Sequence, residues 1–186
     1  MECNVLTVPG LWNSGPQHWQ SLWEQRHPEW VRVAHRDWNN PERAEWVAEL
    51  DAAIARCEGP PLLVAHSLGC ITVAHWASSG SQLQVAGAFL VAPADVAAAS
   101  YPVDKNGFTP IPMERLPFPT HVVASADDPF VDAARARQFA DAWGSAFTDI
   151  GRQGHVNGDS GLGQWDQGYQ LLEAFCRHLG HGPGRD

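Results

Sequence analysis

PPLLVAHSLGCITVAHW, the sequence of residues 60–76, changes its hydrophobic pattern at Ser67. The residues before the serine, LLVAH at 62–66, form a mostly apolar run after two prolines, which is typical of a buried strand. The residues after it are apolar at helical spacing up to about Ser79, and Gly80 is suited to cap such a helix. The stretch therefore predicts a strand that passes directly into a helix, with a serine at the junction.

The same alternation of strand and helix continues on both sides of this junction. Strands are predicted at 4–8, 31–38, 62–66, 85–92, 120–128 and 146–151. Helices are predicted at 16–26, from Asn40-Pro41, from 68, around 136–143 and around 172–179. Because the strands are apolar runs, we expect a mostly parallel six-stranded sheet with helices on both faces, hence an α/β fold. One domain over 1–180 and a frayed tail at 181–186 are expected.

The bulk composition argues against several classes of protein. The 186 residues carry a formal net charge of -9, whereas nucleic-acid and anionic-membrane binding require basic patches. The N-terminus lacks the features of a signal peptide, and no apolar run reaches the roughly 18 residues of a membrane span. The cysteines fit no zinc or disulfide spacing, which predicts reduced thiols and a cytoplasmic protein. The four cysteines are Cys3, Cys57, Cys70 and Cys176.

Ser67 stands just beyond the carboxyl end of a strand, where parallel sheets bind their ligands. A sharp strand–turn–helix lifts a serine Oγ above the sheet only when the residues two before and two after it are small. Ala65 and Gly69 meet this requirement. The stretch therefore matches the G-x-S-x-G motif of a nucleophile elbow, with alanine in place of the first glycine.

Two backbone amides near the elbow are candidates for an oxyanion hole. Leu68 begins the helix after the serine, so its free amide and the positive end of the helix dipole face the same position. The loop after the first strand can supply a second amide, from Leu11 or Trp12. Trp12 is also a candidate for the substrate pocket.

A serine nucleophile requires a base and an acid that orients the base. In this architecture the acid and then the histidine follow the serine along the chain. Asp127 and Asp128 lie at the carboxyl end of the fifth predicted strand and His155 lies past the sixth, at the same edge of the sheet as Ser67. Only one of two consecutive aspartates in an extended chain can face the histidine. Asp95, after the fourth strand, is a third candidate for the acid.

The proline-rich segment 94–118 has no clear period and is long for a connection. It is equally compatible with a surface loop of no special role and with a cover over the pocket, in which Phe108 or Tyr101 would contact substrate. His66 and Cys70 flank the elbow and are predicted to be structural. For His66 we expect a hydrogen bond beneath the turn.

At these residues the chain resembles the α/β-hydrolase superfamily, and within it the small serine hydrolases related to retinoblastoma-binding protein 9. The resemblance rests on VPG after the first strand, HW at 18–19, AHSLG at the elbow, DDPF at 127–130 and GH at 154–155. It implies a compact fold with strand order 2-1-3-4-5-6 and little or no cap domain. It also implies Asp128 as the acid and His155 as the base.

One partner of that family is not expected here. The family name refers to a pocket-protein contact attributed to an L-x-C-x-E motif, whereas this chain reads ARCEG at 55–59. A small-molecule acyl substrate is the expected partner instead.

Together these features predict a serine hydrolase that cleaves a small carboxylic ester, thioester or amide. Ser67 would attack, His155 would act as the base and Asp128 would orient it, without a metal or an organic cofactor. Two alternatives remain open: a catalytically idle hydrolase fold that binds a partner, and an acyltransferase that uses the same three residues.

Overall fold

The computed structural model describes residues 5–102 and 106–180. The strands are β1 Val5–Val8, β2 Val31–Arg32, β3 Leu62–His66, β4 Gly87–Val91, β5 Thr120–Ala124 and β6 Ala146–Asp149. The α-helices are α1 Trp19–Arg26, α2 Arg43–Ala55, α3 Leu68–Ala77, α4 Ala133–Trp143 and α5 Asp166–His178, and a short 3-10 helix spans Gly158–Ser160. The tail predicted at 181–186 and Cys3 lie outside the described residues.

The strands form one sheet in the order β2-β1-β3-β4-β5-β6, and each neighbouring pair is parallel. This confirms the predicted α/β fold and strand order. The chain runs from β1 outward to β2 and then crosses back to β3, so the strand order reverses between β1 and β3. The carboxyl ends of these two strands therefore border the crevice in which open parallel sheets bind ligands.

Helices cover both faces of the sheet, which explains why its strands are apolar runs. Every residue of β1, β3 and β4 is buried. Successive residues of β3 alternate between two hydrophobic clusters. Leu63 and Ala65 pack with side chains of α2, α3 and α4, whereas Leu62 and Val64 pack with side chains of α1 and α5. A strand buried on both faces has no solvent side for polar residues.

The second strand is much shorter than the β-rich sequence at 31–38 predicts. It comprises Val31–Arg32 alone. The amide of Arg36 donates to the Glu49 side chain of α2 at 3.0 Å. Four residues beyond the end of β2 the backbone therefore bonds to a helix side chain and not to a neighbouring strand.

Helix α2 begins at Arg43, two residues after the proline that was expected to start it, and Glu42 takes the N-cap position. Asn40 was predicted as the N-cap. Its backbone amide instead donates to the Asp37 carboxylate at 2.9 Å, and its side-chain amide donates to the same group at 3.3 Å. A local turn thus competes with the cap for the same residue.

The described cysteines are consistent with the predicted thiols. Cys70 and Cys176 are buried, and burial raises the pKa of Cys70 well above its usual value and that of Cys176 to about 12. Cys57 donates its thiol to the Ala53 carbonyl at 3.5 Å. No described helix has both the length and the apolar character that crossing a membrane requires.

Candidate active site

Ser67 joins β3 to α3 in a strained backbone conformation. Its φ of 54° and ψ of -121° lie in a region that residues other than glycine rarely adopt. The turn is held from two sides, since the Ser67 amide donates to the Val91 carbonyl of β4 and the Ser67 carbonyl accepts from the Cys70 amide, both at 3.0 Å. This is the geometry of a nucleophile elbow.

Glycines are needed where the elbow meets the end of β1. A Cβ atom on Gly69 would lie 2.2 Å from the Val8 carbonyl oxygen and 2.7 Å from the Pro9 carbonyl oxygen. A Cβ atom on Gly10 would lie 2.8 Å from the Cβ of Ser67. Real Cβ atoms essentially never show contacts under 3.0 Å, so β1 and the start of α3 pack with backbone against backbone.

Ser67, His155 and Asp128 meet above this edge of the sheet. His155 Nε2 lies 2.8 Å from Ser67 Oγ, and His155 Nδ1 lies 2.8 Å from each carboxylate oxygen of Asp128. Each of the three residues is 8% exposed. A carboxylate accepts, so Nδ1 carries the proton and Nε2 accepts from the serine hydroxyl. In this tautomer the imidazole can remove the serine proton.

The two other candidate acids face elsewhere. Asp127 accepts from the Gly154 amide at 2.8 Å and the Ser125 hydroxyl at 2.9 Å, and these hydrogen bonds lower its pKa. Asp95 forms an ion pair with α4 at 3.4 Å. Of the three aspartates, only Asp128 contacts the histidine.

The amides of Leu68 and Leu11 flank the elbow. Leu68 is the first residue of α3, so its amide has no acceptor within the helix. Leu11 follows Gly10, on which a Cβ atom would lie 3.1 Å from the Leu68 nitrogen. The alternative donor, the Trp12 amide, is already bonded to the Trp38 carbonyl at 2.9 Å. Leu68 and Leu11 thus remain the candidates for an oxyanion hole.

His66 supports the backbone of His155 from below. Its Nε2 donates to the His155 carbonyl at 2.9 Å, so His66 forms the structural hydrogen bond predicted for it. Burial holds the pKa of His66 well below its usual value, so the ring stays neutral. The donation also fixes its tautomer, with the proton on Nε2.

Helix α1 fixes both ends of the loop that follows His155. Trp19 donates its indole N–H to the Val156 carbonyl at 2.7 Å, and Trp23 donates to the Gln164 carbonyl at 2.6 Å. Both indoles are buried. These long-range hydrogen bonds were not predictable, because helical spacing indicates only that the two tryptophans share a face.

A cavity of about 490 Å³ opens beside Ser67 and His155. The loop between β1 and α1 contributes to its wall, together with Tyr101 and the residues that follow His155. Trp12 lies in this wall and is 55% exposed. The cavity is large enough for a small substrate, and its wall includes both hydrophobic and polar side chains.

Phe108, a predicted candidate for the pocket, does not line this cavity. It is 1% exposed. Its ring contacts Trp46 of α2 and His75 of α3 edge to face, with centroid distances of 6.0 and 5.9 Å. The segment 94–118 therefore contributes Phe108 to the core and Tyr101 to the cavity wall, and residues 103–105 lie outside the described chain.

His18 belongs to the HW pair that carries the family resemblance, and it lies in the cavity wall, a position that was not predicted for it. It caps α1, since its Nδ1 accepts from the Gln20 amide at 3.1 Å. N-cap preferences favour Ser, Thr, Asp and Asn, so they give no signal for a histidine here. Burial, reinforced by the positive charge of Arg32, lowers the pKa of His18 to about 3. The ring is therefore neutral at pH 7.

Acid is expected to destabilise the protein through His18 and His66. Their pKa values are lowered from 6.5 on folding, to about 3 for His18. The unfolded chain therefore binds more protons below pH 6.5, and the stability they contribute is complete above that pH and lost as the pH falls. For His18 the free energy of unfolding should fall by about 2 kcal/mol between pH 7.5 and 5, at 1.36 kcal/mol per pH unit.

His18→Ser isolates this contribution, because serine keeps the N-cap acceptor but does not titrate. Thermal unfolding at pH 7.5 and 5 should show a drop in Tm that is smaller in the variant by about 4–8 °C. Equal drops in both proteins would contradict the burial of a neutral His18.

Comparisons with known proteins agree with this architecture. A family model described as serine hydrolase matches residues 5–174. A protein described as a YdeN-like hydrolase, from Pectobacterium atrosepticum, is 33% identical, with a TM-score of 0.86 over 98% of this chain and 94% of that chain. The ydeN gene product of B. subtilis is 20% identical, with a TM-score of 0.76 over 94% and 99%.

More distant structures share the fold alone. A monoacylglycerol lipase of Paleococcus ferrophilus is 13% identical, with a TM-score of 0.69 over 96% of this chain and 97% of that chain. None of the curated proteins compared with this chain matches it. Within residues 5–102 and 106–180, no group of three or more His, Cys, Asp and Glu side chains could hold a metal ion.

Proposed function

Since the chain belongs to the serine hydrolase family, we propose that it cleaves a small carboxylic ester, thioester or amide through an acyl-enzyme intermediate. Ser67 is the nucleophile, His155 the general base and Asp128 the acid that orients it. The observation that carries this proposal is the pair of 2.8 Å contacts that His155 makes, through Nε2 to Ser67 and through Nδ1 to Asp128.

In the first half of the reaction, Ser67 Oγ attacks the carbonyl carbon and its proton moves to His155 Nε2. Asp128 stabilises the imidazolium that forms. The carbonyl oxygen becomes an oxyanion and accepts hydrogen bonds from the amides of Leu68 and Leu11. His155 then donates the proton to the leaving group, the bond to the leaving group breaks, and the acyl group remains on Ser67.

In the second half, water replaces the leaving group. His155 Nε2 removes a proton from the water as it attacks the acyl carbon, and the same two amides hold the second oxyanion. When this intermediate collapses, the bond to Ser67 Oγ breaks and His155 returns its proton to the serine. The product is a carboxylic acid, and the enzyme is regenerated.

A fluorophosphonate probe tests the proposal, because it reacts with a serine only when that serine is activated. We expect stoichiometric labelling of the folded protein, with the added mass on the peptide that contains Ser67. Labelling should be lost in Ser67→Ala and kept in Ser78→Ala, a serine at the far end of α3. Folded protein that is not labelled would contradict the proposal and favour an idle fold that binds a partner.

A further inference from the structure

The hydroxyl of Ser125 joins the loop that carries Asp128 to the loop that carries His155. Ser125 directly follows β5 and is 1% exposed. Its Oγ accepts from the Gln153 amide at 2.9 Å and donates to the Asp127 carboxylate at 2.9 Å. Because a carboxylate can only accept, the hydroxyl proton points to Asp127 and a lone pair of the oxygen points to the amide. One hydroxyl is therefore both acceptor and donor between the two loops.

Asp127 extends this connection by one residue. Its carboxylate also accepts from the Gly154 amide at 2.8 Å. The two amides that directly precede His155 are thus bonded to side chains of the loop after β5. Asp128 belongs to the same loop and contacts the His155 ring. The hydrogen bonds of Ser125 and Asp127 therefore fix the backbone of the base relative to the acid that orients it.

The backbone on either side of His155 has a positive φ. Gly154 has a φ of 58° and Val156 has a φ of 51°. This left-handed region is unfavourable for a β-branched residue such as valine. A residue keeps such a conformation only where the surrounding contacts impose it. If one of these contacts is lost, we expect the backbone to relax and the His155 ring to move with it.

The contacts on the carboxyl side of His155 come from other elements. The His155 carbonyl accepts from His66 at 2.9 Å, and the Val156 carbonyl accepts from Trp19 at 2.7 Å. These donors belong to β3 and α1, and they hold the chain after the Cα atom of His155. They do not replace the hydrogen bonds from the loop after β5, which hold the chain before it.

We propose that Ser125 is a positioning residue, whose hydroxyl holds His155 where Nε2 reaches Ser67 while Nδ1 faces Asp128. The inference rests on the proposed hydrolase function. Ser125 is not among the residues that line the cavity beside Ser67, so it acts through the backbone of His155. Displacement of a reacting group by about 1 Å can slow a reaction by about 100-fold.

Ser125→Ala removes this hydroxyl, and Thr120→Val is its matched control. Thr120 is buried at the opposite end of β5, where its hydroxyl bonds to Ser145 Oγ at 2.5 Å. Each variant therefore loses one buried hydroxyl, at opposite ends of the same strand. Both should unfold at a lower temperature than the wild type, so Tm reports the general cost of the change.

The kinetics of the two variants should differ. With 4-nitrophenyl acetate, Ser125→Ala should lower kcat by about 10- to 100-fold. Its KM should stay within about threefold, because His155 acts in both halves of the reaction and both should slow together. The rate of fluorophosphonate labelling should fall with kcat, since it depends on the same base. Thr120→Val should keep all three values within about threefold of the wild type, because it displaces no reacting group.

Amide hydrogen exchange in the wild type tests the inference without a variant. The Gln153 and Gly154 amides should exchange more slowly than those of an unfolded peptide, because both are hydrogen-bonded. Exchange of both amides at the unfolded rate would overturn the role of Ser125. So would a folded Ser125→Ala variant whose kcat equals that of Thr120→Val, and either result leaves the hydrolase proposal intact. A folded wild type that cleaves no ester and resists the fluorophosphonate would overturn both proposals together.

Discussion

Asp128→Asn should lower kcat/KM by on the order of 10⁴-fold while leaving the protein folded. Both carboxylate oxygens of Asp128 lie 2.8 Å from His155 Nδ1. A carboxamide of the same shape can donate to Nδ1, which would place the ring proton on Nε2, toward Ser67. In that tautomer the imidazole cannot accept the serine proton. The variant also lacks the charge that stabilises the imidazolium.

The two neighbouring candidates provide matched controls. Asp95→Asn removes an ion pair with α4 and should change kcat/KM by less than about threefold, because partly exposed pairs contribute little. Asp127→Asn weakens the hydrogen bond that the Gly154 amide donates to this side chain. It should lower kcat/KM by less than about tenfold. Release of 4-nitrophenolate measures activity, and circular dichroism checks folding. An Asp95→Asn variant as impaired as Asp128→Asn would show that the acid is assigned wrongly.

Gly69→Ala should lower Tm by about 6–12 °C, which corresponds to about 3 kcal/mol for an overpacked contact. The added methyl carbon would lie 2.2 Å from the Val8 carbonyl oxygen and 2.7 Å from the Pro9 carbonyl oxygen. Both atoms belong to the backbone at the end of β1, so no side chain can rotate to make room. The strand or the helix must move, and the elbow moves with it.

Gly59→Ala is the control for this change. A Cβ atom on Gly59 meets nothing within 4 Å, and its φ is not in the left-handed region. Its Tm should stay within about 2 °C of the wild type. Thermal unfolding followed by far-UV circular dichroism measures both variants. If Gly69→Ala unfolds at the same temperature as Gly59→Ala, the backbones of β1 and α3 are not in close contact at Gly69.

Much of the fold could be predicted because it depends on patterns that extend over many residues. Apolar runs alternating with helices indicate a covered parallel sheet whatever the details of packing. The ends of elements were less predictable, since single contacts set them. Glu49 binds the Arg36 amide beyond the end of the second strand, and Asp37 binds Asn40 ahead of α2. No periodic pattern in the sequence predicts either contact.

The candidate site was also predictable only in part. Topology explains why residues after β3, β5 and β6 gather at one edge, but it does not select between Asp127 and Asp128, whose side chains both follow β5. That choice came from the family resemblance. Phe108 and His18 depend on where a side chain points and what buries it, and a segment without a period carries no such information.

The two indoles of α1 have a practical consequence for redesign of this protein. Trp19 and Trp23 donate hydrogen bonds to the carbonyls of Val156 and Gln164. The stretch between Val156 and Gln164 is therefore tethered to α1 at each end. Residues 157–163 are therefore the part of this loop in which exchanges of length and chemistry leave both tethers to α1 in place. Libraries confined to that stretch would vary part of the cavity wall, to which Asn157, Gly158 and Asp159 belong, while both tethers stay in place.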